Sequence, residues 1–556
     1  MRGRLLQAPL KAQRAAKPIV LARKQLRRLG LEDRLTMLFN SNVFIFGFLP
    51  ACLIGFYSLA RFSRQWAKAF LMLASFAFYG WWNVQYVPLL AGSVVFNYWV
   101  GRQIQAAVTT NHITVVKLWR IFGIAANLGL LGYFKYTNFL IDNVNMALGT
   151  EFTFHHILLP LGISFFTFQK IAYLIDSARG QIKQSGFVGF ALFAVFFPQL
   201  ISGPIVRYDE VYPQFETRRF FPAATHNIMI GLVIFAIGLF KKTVIADTAG
   251  GIVAPLFDAA AHGASFGVWT GWIAASTYTV QLYFDFSSYS DMAIGLARMF
   301  GIALPLNFHS PLRASNIIDY WRRWHMTLQR FMVSYLYQPL SLVFARRAAA
   351  RGMDRWPTFL IAVAVPAFIT FLVIGIWHGA GWTFVLFGAI HASYVCINEA
   401  WREYQKHRRR RLKIATRDSA PTPMLLLFFH ALTIFCVMIA NVVFRSDRVA
   451  TAGVIFKGMF GRSGMAGEGP QMPGIPALLS FMFVATLLIA VMPNTQQILG
   501  CYCPAVNWRQ WRDVAPSLVT YRWRPDLVGI IGAGAVLFVA LAFIQRGEAV
   551  FLYFNF

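Results

Sequence analysis

Acidic residues are scarce in this sequence. Its 556 residues carry 22 Asp and Glu against 51 Lys and Arg, for a formal net charge of +29. Charged residues of both signs make up only 13% of the chain, against about 25% in an ordinary soluble domain. A chain that is basic without being polar is not a soluble globule. Nucleic acid is one partner for so basic a protein, but the cations stand between apolar runs and do not follow one soluble face, so no nucleic-acid partner is expected. Cysteine is also scarce. Cys52, Cys396, Cys436, Cys501 and Cys503 are odd in number, with no C-x-x-C pair and no histidine pairs nearby at zinc spacing, which excludes a disulfide framework and a metal site. Cys501 and Cys503 read as loop thiols. A P-loop, a G-x-S-x-G elbow and a dinucleotide fingerprint are missing too.

What fills the chain is apolar sequence, 57% hydrophobic and 16% aromatic. Several stretches approach the ~20 apolar residues needed to cross a ~30 Å hydrocarbon layer. One of them, Thr358 to Trp377, has no charged residue. Lipid offers no partner to open backbone groups, so the expected fold class is an all-α polytopic membrane protein. Fourteen apolar segments can be traced from residues 43–60 to 527–545, including 266–284 and 289–304 as two separate segments. Some are too short or interrupted to span, which leaves about eleven crossings plus re-entrant or interfacial helices. The expected organisation is a basic extension over 1–36, either a membrane-surface arm or a stretch upstream of a start at Met37, followed by one transmembrane domain over 37–556. Arg346, Arg347, Arg351 and Arg355 precede one apolar run, and Arg402, Lys406, Arg408 to Arg411 and Lys413 follow the next. By the positive-inside rule both segments, read as loops, are cytoplasmic.

Those two loops make the sequence between them a hairpin, with Trp377-His378-Gly379-Ala380-Gly381-Trp382 at its tip. The return run, Trp382 to Ile397, would rise only about 24 Å at ~1.5 Å per residue, so His378 is expected within the membrane thickness, toward the outer side. An ionisable group there is costly unless it faces a cavity or a partner, and imidazole suits a general base because its ordinary pKa is about 6.5. The alternative is a neutral ring hydrogen-bonded at a helix end. His391, thirteen residues on, would lie about 220° around a continuous helix and point elsewhere.

A second cluster runs from Asn316 to Phe331. Trp321, Trp324, Leu328 and Phe331 recur at helical spacing among Arg322, Arg323 and Arg330, which predicts an interfacial helix. It is either an anchor or a surface whose arginines and His325 face an anionic acyl carrier. Between Tyr283 and Arg298, Ser288 and Asp291 fit a capping box at a helix start, and Asp291 and Arg298 fall on one face as a compensated pair. Asp285 either belongs to that structure or lines a cavity. The Gly- and Pro-bearing motifs Pro160 to Lys170, which includes Gln169, and Phe197 to Arg207 suggest broken helices lining a cavity, or packed turns.

In this order, with Met37 to Ser41, Asn127 to Tyr136, Asp319 to Gln338, Trp377 to Gly388 and the aromatic tail Phe551 to Phe556, these blocks resemble the bacterial branch of the membrane-bound O-acyltransferase superfamily, and within it the alginate O-acetyltransferase-like members. The resemblance covers nearly the whole chain beyond Thr36. It implies a multi-helix fold with a funnel and a thin central barrier in the bacterial inner membrane, His378 as principal catalytic residue and His325 as the second. Arg322, Arg323, Trp324, Asp285 and Gln169 become the candidates for binding donor or substrate. It further implies no bound cofactor, a cytoplasmic thioester donor such as acetyl-CoA, and passage of acetyl to an exported polysaccharide such as alginate, directly or through a periplasmic or membrane-anchored acetyltransferase partner. D-alanyl transfer to an envelope polymer, and a transporter or assembly subunit, are the alternatives.

Overall fold

A computed structural model describes residues 37–152, 157–182, 186–216, 224–412, 422–464, 474–544 and 552. The extension over 1–36 lies outside the described residues, as does most of the aromatic tail. The described chain is helical throughout, with one isolated bridge between Pro305 and Val506 and no strand. Among the described residues six helices are long and apolar enough to cross a membrane: Val43–Phe62, Ile113–Leu148, Ala224–Ala261, Arg355–His378, Pro423–Arg445 and Leu527–Ile544. Shorter apolar helices pack among them.

The centre is the helix Val268–Met299, 32 residues long and buried nearly all round, as expected of a helix without a water-facing stripe. It passes unbroken through the two apolar segments that the sequence divided. Ser288 and Asp291 therefore sit in mid-helix and form no capping box. Ser288 Oγ donates back to the Asp285 carbonyl at 2.7 Å, the local bond a serine makes when no helix start is available. Nor does Asp291 pair with Arg298. It accepts from Lys241 Nζ at 2.7 Å, Thr495 Oγ1 at 2.6 Å and Gln496 Nε2 at 2.7 Å, whereas Arg298 reaches the Tyr502 carbonyl at 3.5 Å. Seven-residue spacing puts two groups on one face but says nothing about a cation on the neighbouring helix. That neighbour, Ala224–Phe240, lies so close that a Cβ on Gly231 would stand 2.5 Å from the Gly295 carbonyl oxygen. Small residues permit such approaches where apolar burial supplies no net drive between helices.

The basic segments after Phe344 and Trp401 are largely helical where described, the first broken only by a turn over 351–354. Gln338–Ala350 reaches into the first, and Trp382–Arg411 runs 30 residues through the second. The apolar run after the tip is short, but the helix carrying it is not, because Arg and Lys are good helix formers. Arg355 Nε meets Glu403 Oε1 at 3.0 Å, so the two basic segments share one end of the hairpin, as the charge pattern requires.

Candidate functional site

Two helical legs bring the histidines together. One begins at Met326 and continues through Val333–Tyr337 to Ala350. The other returns as Arg355–His378. At ~1.5 Å per residue each leg rises about 36 Å, and they are joined by a short turn, so their far ends lie level. His325 caps the first leg and His378 closes the second. The rings of His325 and Trp377 are 6.0 Å apart and those of Trp377 and His378 4.9 Å, so one indole bridges the two histidines.

The hairpin tip is held tightly. A Cβ on Gly388 would come 2.4 Å from the Phe371 carbonyl oxygen and one on Gly375 2.2 Å from that of Phe384, so the outgoing and return helices touch through their backbones. The C-terminal carbonyls of Val365–His378 would otherwise lack partners. The helix Ile113–Leu148 supplies them: Tyr136 Oη donates to the Ile376 carbonyl at 2.8 Å, and Lys135 Nζ donates to those of Trp377 and, at 3.3 Å, His378. A cation there also favours the negative end of the helix dipole. Lys135 lies in the Asn127 to Tyr136 block, whose pattern gives it no role of its own. A lysine inside a long apolar helix was itself the signal.

His378 is buried and shares a small cavity with Trp321, Trp324, Phe387, His391 and Asn441. His391 therefore faces the site, contrary to the helical-wheel expectation. The wheel assumed a continuous helix, but the chain is extended at Gly379 and Gly381, which resets the phase. Trp321 Nε1–H donates to His391 Nδ1 at 3.1 Å. The aromatic stripe is no interfacial anchor either. Trp321, Trp324, Leu328 and Phe331 are all buried, and they belong to two short helices, Ile317–Arg323 and Met326–Met332, separated at His325 with φ +42°. Their spacing imitates one amphipathic helix across a break.

Around His325 the walls are aromatic: Phe286 at 4.7 Å, Phe308 at 6.4 Å and Phe165 at 6.5 Å between ring centroids. Two further small cavities share Ile205 and Val206. Gln169 and Gln199 line one, and Arg207, Thr327, Arg330 and Tyr335 the other. Of the donor and substrate candidates, Trp324 and Gln169 line cavities. Arg322 is exposed, and Arg323 is paired with Asp319 at 2.6 Å. Asp285 is held by Lys242 Nζ at 2.6 Å and by the Leu552 amide at 2.9 Å. No group of three or more His, Cys, Asp or Glu that could hold a metal occurs among the described residues.

The model of the membrane-bound O-acyltransferase family matches residues 119–441, from the lysine-bearing helix to the wall of the His378 cavity. The chain belongs to that family. It is similar to a peptidoglycan O-acetyltransferase of Helicobacter pylori, 40% identical over 77% of this chain and 81% of the relative. A probable alginate O-acetylase of Pseudomonas aeruginosa is 37% identical over 76% and 75%. A teichoic acid D-alanyltransferase of Streptococcus thermophilus is 27% identical over 44% and 58%. This membrane-bound O-acyltransferase is thus a multi-pass membrane enzyme of the alginate-like bacterial branch.

Proposed function

We propose that this acyltransferase takes an acetyl group from a cytoplasmic thioester, acetyl-CoA, and passes it across the bacterial inner membrane to hydroxyls of an exported polysaccharide of the alginate type, directly or through an acetyltransferase partner at the outer face. The observation that carries this reading is the level placement of His325 and His378 at the far ends of two legs whose other ends are basic. Chemistry would then occur deep in the protein, where water and wasteful hydrolysis are excluded, while the polybasic ends face the cytoplasm. One histidine would take the proton of the attacking hydroxyl and the other would stabilise the oxyanion at the acyl carbon. Arg330 and Arg207, which line one of the small cavities, replace Arg322 as the cations an anionic donor would meet, although Arg330 is paired with Glu210 at 2.8 Å and Arg207 with Asp209 at 3.2 Å. A peptidoglycan acceptor is the second reading, favoured by the 40% identity to the Helicobacter pylori enzyme.

Sided vesicles test it. Acetyl-CoA supplied at the cytoplasmic face should be consumed, with acetyl appearing on polymer at the opposite face. Consumption only from the outer face, or none with either polymer, would overturn the reading. Comparing acetyl ester on exopolysaccharide and on peptidoglycan decides between the acceptors.

A further inference from the structure

The nitrogen of His325 that carries its proton is readable from its neighbours. Asn307 is fully buried, and its Oδ1 accepts from the Thr327 amide at 3.3 Å, from Thr327 Oγ1 at 2.8 Å and from His325 Nδ1 at 3.0 Å. A backbone N–H can only donate, so the atom facing Thr327 is the amide oxygen and the amide cannot be turned round. Its Nδ2 donates in the other direction, to Ser290 Oγ at 3.0 Å, and the Asn307 carbonyl accepts from the Met326 amide at 2.9 Å. An acceptor fixed opposite Nδ1 requires Nδ1 to hold the proton, which leaves Nε2 with a bare lone pair. Nε2 is buried and has no hydrogen-bond partner among the described residues.

Buried polar atoms are nearly always partnered, and one that is not calls for an explanation. Here a neutral imidazole keeps a strong acceptor unoccupied beside Trp377, whose ring also packs on His378. A ring in this tautomer accepts a proton at Nε2 and has no N–H there to offer an oxyanion. We infer that Asn307 is a positioning residue of the acyl transfer: through its Oδ1 it holds His325 as the Nδ1–H tautomer, so that His325 Nε2 is the proton acceptor. The inference rests on the acyl-transfer reading above and gives His325, the second histidine of the resemblance, the proton-accepting role.

In the step, the acceptor's O–H proton moves to Nε2 while the oxygen forms a bond to the thioester carbonyl carbon. The C–S bond then breaks, the sulfur leaves with its electron pair, and the proton on Nε2 passes to it. An alcohol and a thioester become an ester and a thiol, and His325 returns neutral. Oxyanion stabilisation falls to His378. Fixing a tautomer matters: in a Ser-His-Asp triad the wrong one costs about 10⁴ in kcat.

Solid-state magnetic resonance of full-length protein with isotope-labelled histidine nitrogens reads the tautomer without substrate, the His325 signal being the one lost in His325→Gln. The expected wild-type spectrum has a protonated Nδ1 and a bare Nε2. In Asn307→Leu the ring should lose that preference, and kcat for thioester consumption should fall at least about tenfold with KM little changed. Asn307→Asp keeps an acceptor opposite Nδ1, so it should keep the tautomer and most of kcat, and it decides the matter if the leucine variant does not insert. A wild-type ring protonated at Nε2, an Asn307→Leu protein with unchanged tautomer and kcat, or an Asn307→Asp protein that loses the tautomer would each overturn the inference. If wild-type protein consumes no thioester, the functional reading fails while the spectrum still stands.

Discussion

Two parts of this molecule bury ionisable groups in apolar surroundings, and they do so differently. On the Val268–Met299 helix, Asp285 and Asp291 are each met by a lysine at 2.6 and 2.7 Å and by further donors, Leu552, Thr495 and Gln496. Lys242 also bridges to Asp247 at 2.7 Å. At the hairpin ends, His325 has one nitrogen held by Asn307 and the other open. An intramembrane ionisable group is costly in either case unless it finds a partner or a cavity. A fully satisfied one ties helices together, whereas one with an open atom can accept something from outside. Burial and ionisability alone do not separate structure from chemistry, but the hydrogen bonds around each atom do.

That contrast breaks down if the histidine ends do not govern rate. His378→Ala should lower polymer acylation and thioester consumption by at least about 10²-fold, the least that losing a proton-transfer group or an oxyanion donor costs. Its amount in the membrane and its thermal midpoint should be nearly those of wild type. A correctly inserted His378→Ala enzyme with wild-type turnover removes the catalytic assignment. The opposite signature is expected of Asp285→Ala. Removing one partner of a buried ion pair costs about 3–5 kcal/mol, so the midpoint in detergent should drop sharply while the surviving folded enzyme keeps its turnover per molecule. A stable but inactive Asp285→Ala protein would move Asp285 into the reaction cavity. The smallest effect belongs to His391→Ala, which sharpens the comparison because this ring lines the cavity while its Nδ1 is held by Trp321. It strips the acceptor from Trp321 Nε1–H, a loss of about 1–3 kcal/mol in stability, and turnover should fall well short of the His378→Ala loss. Equal losses at the two positions would make His391 a third catalytic group.

Much of the site was legible because its signals are local. A neutral run ending in Trp-His-Gly-Ala-Gly, flanked by basic segments, located the hairpin and its histidine, and the ion pair between Arg355 and Glu403 joins the two segments. Periodicity misled where the chain changes direction without changing its pattern, as across His325 in the aromatic stripe and across Gly379 to Gly381 for His391. It also misled where a polar residue's partner comes from another helix, as Lys241 does for Asp291. Asn307 gave no signal, since a lone amide in a short irregular stretch has neither period nor charge to mark it.

Composition and charge order by themselves determined that this protein is a bundle of membrane helices, which basic segments share an end, and that an ionisable ring lies at the hairpin tip. These follow from the cost of exposing polar backbone or charge to lipid, a cost each segment bears alone. Only the tertiary structure decided that the two legs set His325 level with His378, that Lys135 closes the helix end, and that the Asn307 amide oxygen stands opposite His325 Nδ1. Those depend on distances between atoms far apart in the chain, which packing sets.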